Sequence, residues 1–424
     1  MANSNRATSA LVVGLLWVSA LAAQPASYTV YSLLGDPGDG QFSATRLVED
    51  SAGNLWGTSA GGQQDRGAIF MINPDLTAPD TLVYSFTGGT DGAGPDSGLI
   101  QRGVFYGTTA NGGVLGTPPN ITPGFGVVYV YNPKATTPFA TLYTFMGGAD
   151  GASPSGGLLA IDSAQNLYGA TFLGGTTNTT NCDQYGCGTV FMVDPKTKTK
   201  VTLYAFAGGA DGMLPNGSLY LDPATGNLYG ASLGGTSNNG LIYELVKPTP
   251  PNTTWIKNTV YTFPGGAMGS SPNGGLYRDS SGNLYGTTSA GGTGVPGYGV
   301  VFFISATGVE TVLHTFTGFG ATPPDGAYPH AGLIPNPRAK SIFFGTAVNG
   351  GNTSNDGIVY MLNVLAGPPS FGYTILHTMA GGNASPVDGA GPDASLFFHS
   401  NGNLYGATML GGANGHGTLF TLKP

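Results

Sequence analysis

Charge is scarce in this chain: 8% of its 424 residues are Asp, Glu, Lys or Arg, and Glu occurs only at positions 49, 244 and 310. Long helices are built largely from Ala, Leu, Glu, Lys and Arg and avoid internal Gly and Pro, which excludes helical bundles and coiled coils. Only 14 basic residues are present, none clustered, and the formal charge is −8. Nothing here can neutralise a row of phosphates, so nucleic acid and anionic membrane surfaces are not expected partners. Long apolar runs are also missing, apart from Leu11 to Leu21. With Arg6 ahead of that run and Ala20-Leu21-Ala22 behind it, residues 1–23 read as a signal peptide, shorter than the roughly 20 apolar residues of a membrane anchor. The expectation is a protein secreted, at the cell surface or periplasmic, without membrane insertion.

Cysteine is nearly absent. Cys182 and Cys187 stand five positions apart, and in an oxidising compartment a local disulfide is expected. Without companion ligands they suggest neither a metal nor a redox role.

What the chain has is turn-formers, 73 Gly and 30 Pro, together with 40% hydrophobic and 11% aromatic residues. Disorder is therefore not implied, because the apolar content can build a core. An aromatic-Gly-small-small core recurs seven times, beginning at Trp56, Tyr106, Tyr168, Tyr229, Tyr285, Phe344 and Tyr405. The six intervals average about 58 residues. Each unit holds four short apolar or alternating runs separated by turn residues, the pattern of strands. In the third unit strand a is 157–161, b is 166–171, c is 188–193 and d is 202–206.

Seven units of four antiparallel strands predict an all-β, seven-bladed β-propeller. The run 28–33 resembles a strand d, and the last unit stops at a strand c, 417–422. The N-terminal strand can thus complete the last blade in a three-plus-one closure, removing an exposed sheet edge. Residues 24–424 form a single domain on this reading, and a monomer is expected.

The unit Gly274-Gly275-Leu276-Tyr277-Arg278-Asp279-Ser280-Ser281-Gly282-Asn283-Leu284-Tyr285-Gly286-Thr287-Thr288, followed by Gly291-Gly292 and Gly299-Val300-Val301-Phe302, resembles the GloVer tandem repeat. That repeat is named for cyanobacterial and verrucomicrobial proteins, and it occurs in exported bacterial "choice-of-anchor" proteins. The resemblance extends over all seven units and implies little chemistry. A C-terminal sorting segment like that of anchored members is not expected, since the sequence ends directly after strand c.

In a propeller the d–a and b–c loops share the top face. The d–a loops repeat Asp-Gly with Pro four positions after the Asp, at Asp91, Asp150, Asp211, Asp325 and Asp388, while Met268 breaks the pattern. Such repetition suggests a shared turn. The residue after that Pro is polar: Asp96, Ser155, Asn216, Asn273, His330 and Asp393, with Ser43 as the N-terminal counterpart. These seven are expected to ring the channel mouth, either solvating it or binding there. Asp96, His330 and Asp393 are the candidate catalytic groups, because two carboxylates and an imidazole can do acid–base chemistry when their pKa values are tuned.

The b–c loops begin with Gly-Gly and then diverge, adding Asp65, Asp183, Asp356 and His416 as candidate top-face binding residues. His314 and His377 replace a strand-d Tyr and His399 falls on the bottom, so zinc is not expected. The a–b turns supply one carboxylate each, whereas calcium takes about six to eight oxygens. A structural calcium is a minor alternative, and no cofactor is expected. The leading functional expectation is a secreted binding propeller recognising a neutral glycan through the top loops. The alternatives are a polysaccharide hydrolase or lyase at the channel mouth, and a scaffold that binds extracellular protein surfaces.

Overall fold

The computed structural model describes residues 28–35, 45–77, 80–113, 124–154, 157–176, 181–182, 184–294, 297–318, 324–366, 371–382 and 387–424. The expected signal peptide, Ser43, Ser155 and Asp183 lie outside them. The described residues form seven antiparallel sheets of four or five strands around a ring and two further two-stranded ladders, with short 3₁₀ turns and no helix long and apolar enough to cross a membrane. The third blade consists of Ala160–Ile161, Leu167–Thr171, Thr189–Asp194 and Thr199–Ala205, in the order a-b-c-d.

The repeated motif is explained by what crosses it. The Gly of each strand b lies beneath the aromatic ring of the neighbouring strand c, so a Cβ at Gly169 would sit 2.6 Å from Phe191 and one at Gly286 2.5 Å from Phe302. No other residue leaves that space. The first small residue then reaches the innermost strand of the next blade: Thr287 Oγ1 donates to the Ala331 carbonyl at 3.0 Å, and Thr346 Oγ1 to that of Ala394 at 3.2 Å. The second, such as Thr171 or Thr288, donates into the b–c loop and accepts from the first N–H of strand c.

Seven apolar clusters fill the seven blade–blade interfaces. One joins Trp56, Ile69 and Phe86 to Leu99, Phe105 and Tyr129, and another joins Tyr405 and Leu419 to Leu47 and Phe70 across the closure. A β-bulge shifts the c–d register at the same place in the first six blades, for instance between Val190 and Phe191. The seventh blade pairs Tyr28–Ser32 with Thr418–Leu422 without a shift. The three-plus-one closure is thus present, and it is made by the one regular c–d ladder in the ring. The disulfide Cys182–Cys187 is formed.

Candidate functional site

The top face contains two concentric sets of polar groups. The outer set is the repeated Asp of the d–a loops. Asp91 accepts from Tyr84 OH, Thr87 N–H and Thr87 Oγ1 at 2.6 to 3.0 Å. Asp150 and Asp211 take the equivalent Tyr143 and Tyr204 hydroxyls, plus a lysine from the next blade, Lys200 at 2.9 Å and Lys257 at 3.1 Å. In the last two latches imidazole replaces the tyrosine. Asp325 holds His314 Nε2 at 3.0 Å and Tyr373 OH at 2.7 Å, and Asp388 holds His377 Nε2 at 3.0 Å and Tyr28 OH at 2.5 Å. Burial alone would raise the Asp388 carboxyl, but hydrogen bonds from His377, Tyr28 and Gly389 outweigh it and hold the group below the usual carboxylate range.

Where Met268 interrupts the pattern, the carboxylate comes from the next blade. Glu310 lies beside the Tyr261 hydroxyl, although neither of its oxygens completes a well-formed hydrogen bond. Burial raises its pKa to about 7, with Tyr261 partly opposing the shift. The b–c loops are tied to the latches: from the second blade on, the second Gly of the pair, as at Gly113, Gly175 and Gly235, donates to a d–a carbonyl at 2.7 to 2.8 Å.

The inner set is formed by the residues after the proline. Asp96, Asn216, Asn273, His330 and Asp393 line one cup at the channel mouth, of about 210 Å³, with Ser218, Ser395 and Arg46 in its wall. Its floor is narrow because the innermost strands touch backbone to backbone. A Cβ at Gly157 would fall on Gly217 and Ser218, and one at Gly274 on Ala331 and Gly332. Small residues at these places set the bore.

The cup's groups differ from one another. His330 Nδ1 lies 2.8 Å from Asp393 Oδ1, linking the sixth and seventh blades. Asn216 Nδ2 donates to Asn273 Oδ1, while its own Oδ1 accepts from Gly217 N–H. Asp96 contacts the cup's solvent, yet the protein crowded around it raises its pKa to about 6.

Arg46 was missed by looking only one residue past the proline. It occupies the position before the core leucine of strand a, Leu47, where other blades carry Gly98, Leu158, Ser218, Gly275, Gly332 and Ser395. A long cation at a position otherwise small or apolar was the available signal. The same alignment pairs Thr45 with Ser97, both bonded to a strand-b Thr.

The remaining candidates stand apart from the cup. Asp65 is exposed in its own b–c loop, and Asp356 takes the Asn352 amide at 3.1 Å. His416 packs its ring against Gly35 of the N-terminal segment. His399 is buried, with Nε2 at 3.0 Å from the Gly53 carbonyl, and it ties the last blade to the first. On the bottom face, the turn carboxylates Asp50, Asp162 and Asp279 are occupied by the backbone and side chains of their own hairpins.

Solved structures share this fold at low identity. An oligogalacturonate lyase in complex with manganese is 12% identical, with 94% of this chain and 96% of that chain covered and a TM-score of 0.54. The GH74 xyloglucanase from Xanthomonas campestris is 14% identical over 93% of this chain and 53% of that one, TM-score 0.54. A puromycin hydrolase variant complexed with PGG is 12% identical over 87% and 50%, also at 0.54. Such diverse neighbours establish the propeller architecture and nothing finer. No curated protein matches the chain. Residues 116–275 match the Gloeobacter/Verrucomicrobia repeat, the family that the sequence resembles, and the aromatic-Gly motif of these residues recurs around the ring.

Proposed function

We propose that the protein is an exported binding propeller that recognises the end of a glycan in its top-face cup. The observation carrying this reading is the convergence of unlike polar side chains, Asp96, Asn216, Asn273, His330 and Asp393, on a cup of about 210 Å³. Pockets for drug-sized ligands run from about 300 to 1,000 Å³, so this one suits a single terminal sugar. Amide, hydroxyl and carboxyl groups in close array match sugar hydroxyls, which donate and accept alike. The b–c loops around the rim would contact the rest of the chain.

The test is a glycan array followed by calorimetry on the full-length protein, repeated with Asn216→Ala and Asn273→Ala. A loss of about tenfold in affinity is expected, equal to one good hydrogen bond to the ligand. Binding that ignores both substitutions would place recognition elsewhere.

One observation favours a second reading, a hydrolase or lyase. His330 is held by Asp393 at 2.8 Å, and Asp96, with a pKa of about 6, shares their cup. An oriented imidazole and a carboxyl titrating near neutrality are the parts of acid–base catalysis. Release of oligosaccharide products that stops with His330→Ala and with Asp96→Asn would establish it, and binding without turnover would remove it.

A further inference from the structure

Arg46 is the feature that neither the repeat nor the outer latches explain. Its Nε is buried with no hydrogen-bond partner, and among the described residues it forms no ion pair. The guanidinium carbon lies 5.8 Å from the centroid of the Phe397 ring. Burial pulls the guanidinium pKa below its usual value with no carboxylate opposing it. Every other buried or half-buried cation of the top face has a carboxylate, as Lys200 has Asp150 and Lys257 has Asp211. A buried charge without a counterion costs stability, and here it stands where the other blades carry Gly, Ser or Leu.

We infer that Arg46 is the binding site for the carboxylate of an acidic sugar, a hexuronic acid at the end of a glycan chain. The inference rests on the glycan reading and narrows it, replacing the neutral ligand suggested by the composition with a carboxylated one. Guanidinium presents a planar fork of N–H donors that fits a carboxylate in two parallel bonds. The cup's volume of about 210 Å³ admits one sugar ring above it, where Asn273, Asn216 and Ser218 meet hydroxyls. The titratable groups facing the same space are Asp96, His330 and Asp393. Asp96 repels a second carboxylate once ionised, so binding weakens as pH rises through about 6.

Calorimetry on the full chain with D-glucuronate, its methyl ester, D-glucose and acetate tests this. Glucuronate should bind at least about tenfold more tightly than the ester or glucose, the effect of one charge-assisted hydrogen bond. Arg46→Met should abolish that preference and melt no lower than the parent without ligand. Arg46→Gln repeats the measurement if the Met variant fails to fold. Equal binding of glucose and glucuronate, or a preference that survives both substitutions, overturns the inference while the glycan reading stands. Acetate binding as tightly as glucuronate overturns both, as does no binding of any of the four.

Discussion

The outer ring of latches and the inner cup lie on one face and are built from the same loops, yet they differ in one respect. Every described latch Asp is surrounded by donors, and its neighbours recur from blade to blade as Tyr or His with a backbone N–H. The cup's groups neither recur nor saturate. Asp96 has a raised pKa, Arg46 has no counterion among the described residues, and the pairing of His330 with Asp393 occurs once. Saturated and repeated polar groups hold the ring together. Unlike and incompletely satisfied groups are what a ligand can complete.

Asp388→Ala should do the most damage, because it strips Tyr28, His377 and two backbone N–H groups of their acceptor at the ring closure. Removing one member of such a buried network costs about 3–5 kcal/mol, measurable by urea denaturation. A loss below about 1 kcal/mol would mean that the latch does not close the ring. Gly286→Ala comes next. It forces a methyl into the Phe302 ring and should cost about 1–3 kcal/mol by overpacking, again read from the denaturation midpoint.

Glu310→Gln tests the one irregular latch through pH. Glu310 has a folded pKa of about 7 against 4.5 unfolded, so its contribution is complete below pH 4.5 and declines as pH rises through 7. The Gln variant should lose that decline, shown by melting temperatures measured from pH 4.5 to 8. Asp325 and Asp388 have the opposite sign. Their folded pKa values are below 3.8, so their stabilisation is full above pH 3.8 and lost as pH falls beneath it. An unchanged alkaline slope in the variant would assign that slope to another group.

Asn273→Ala should have the smallest effect on stability, about 1 kcal/mol for the lost hydrogen bond from Asn216, while ligand binding falls about tenfold. Stability loss comparable to that of Asp388→Ala would erase the distinction between cup and latch.

Much of this could be read from the chain itself. The aromatic-Gly-small-small spacing sets blade number and strand order, since each Gly must admit a ring from strand c and each Thr must pin the next blade. The N-terminal strand's likeness to strand d announces the closure. The repeated Asp-Gly reads as a turn, and it is one. What escaped the sequence was pairing between units. Nothing local tells that Glu310 stands in for the Asp missing at Met268, or that Arg46 lies without a counterion, because both depend on which side chains of neighbouring blades meet.

The sequence alone therefore determined a ring of seven blades and picked out Asp96, Asn216, Asn273, His330 and Asp393, which meet in its cup, because strand period, turn chemistry and repeat length act within one unit. Only the tertiary structure decided which of those residues touch. Charge compensation and burial are properties of the space between blades, and there Asp393 acquires His330, Asp388 acquires Tyr28 from the far end of the chain, and Arg46 meets the Phe397 ring but, among the described residues, no carboxylate.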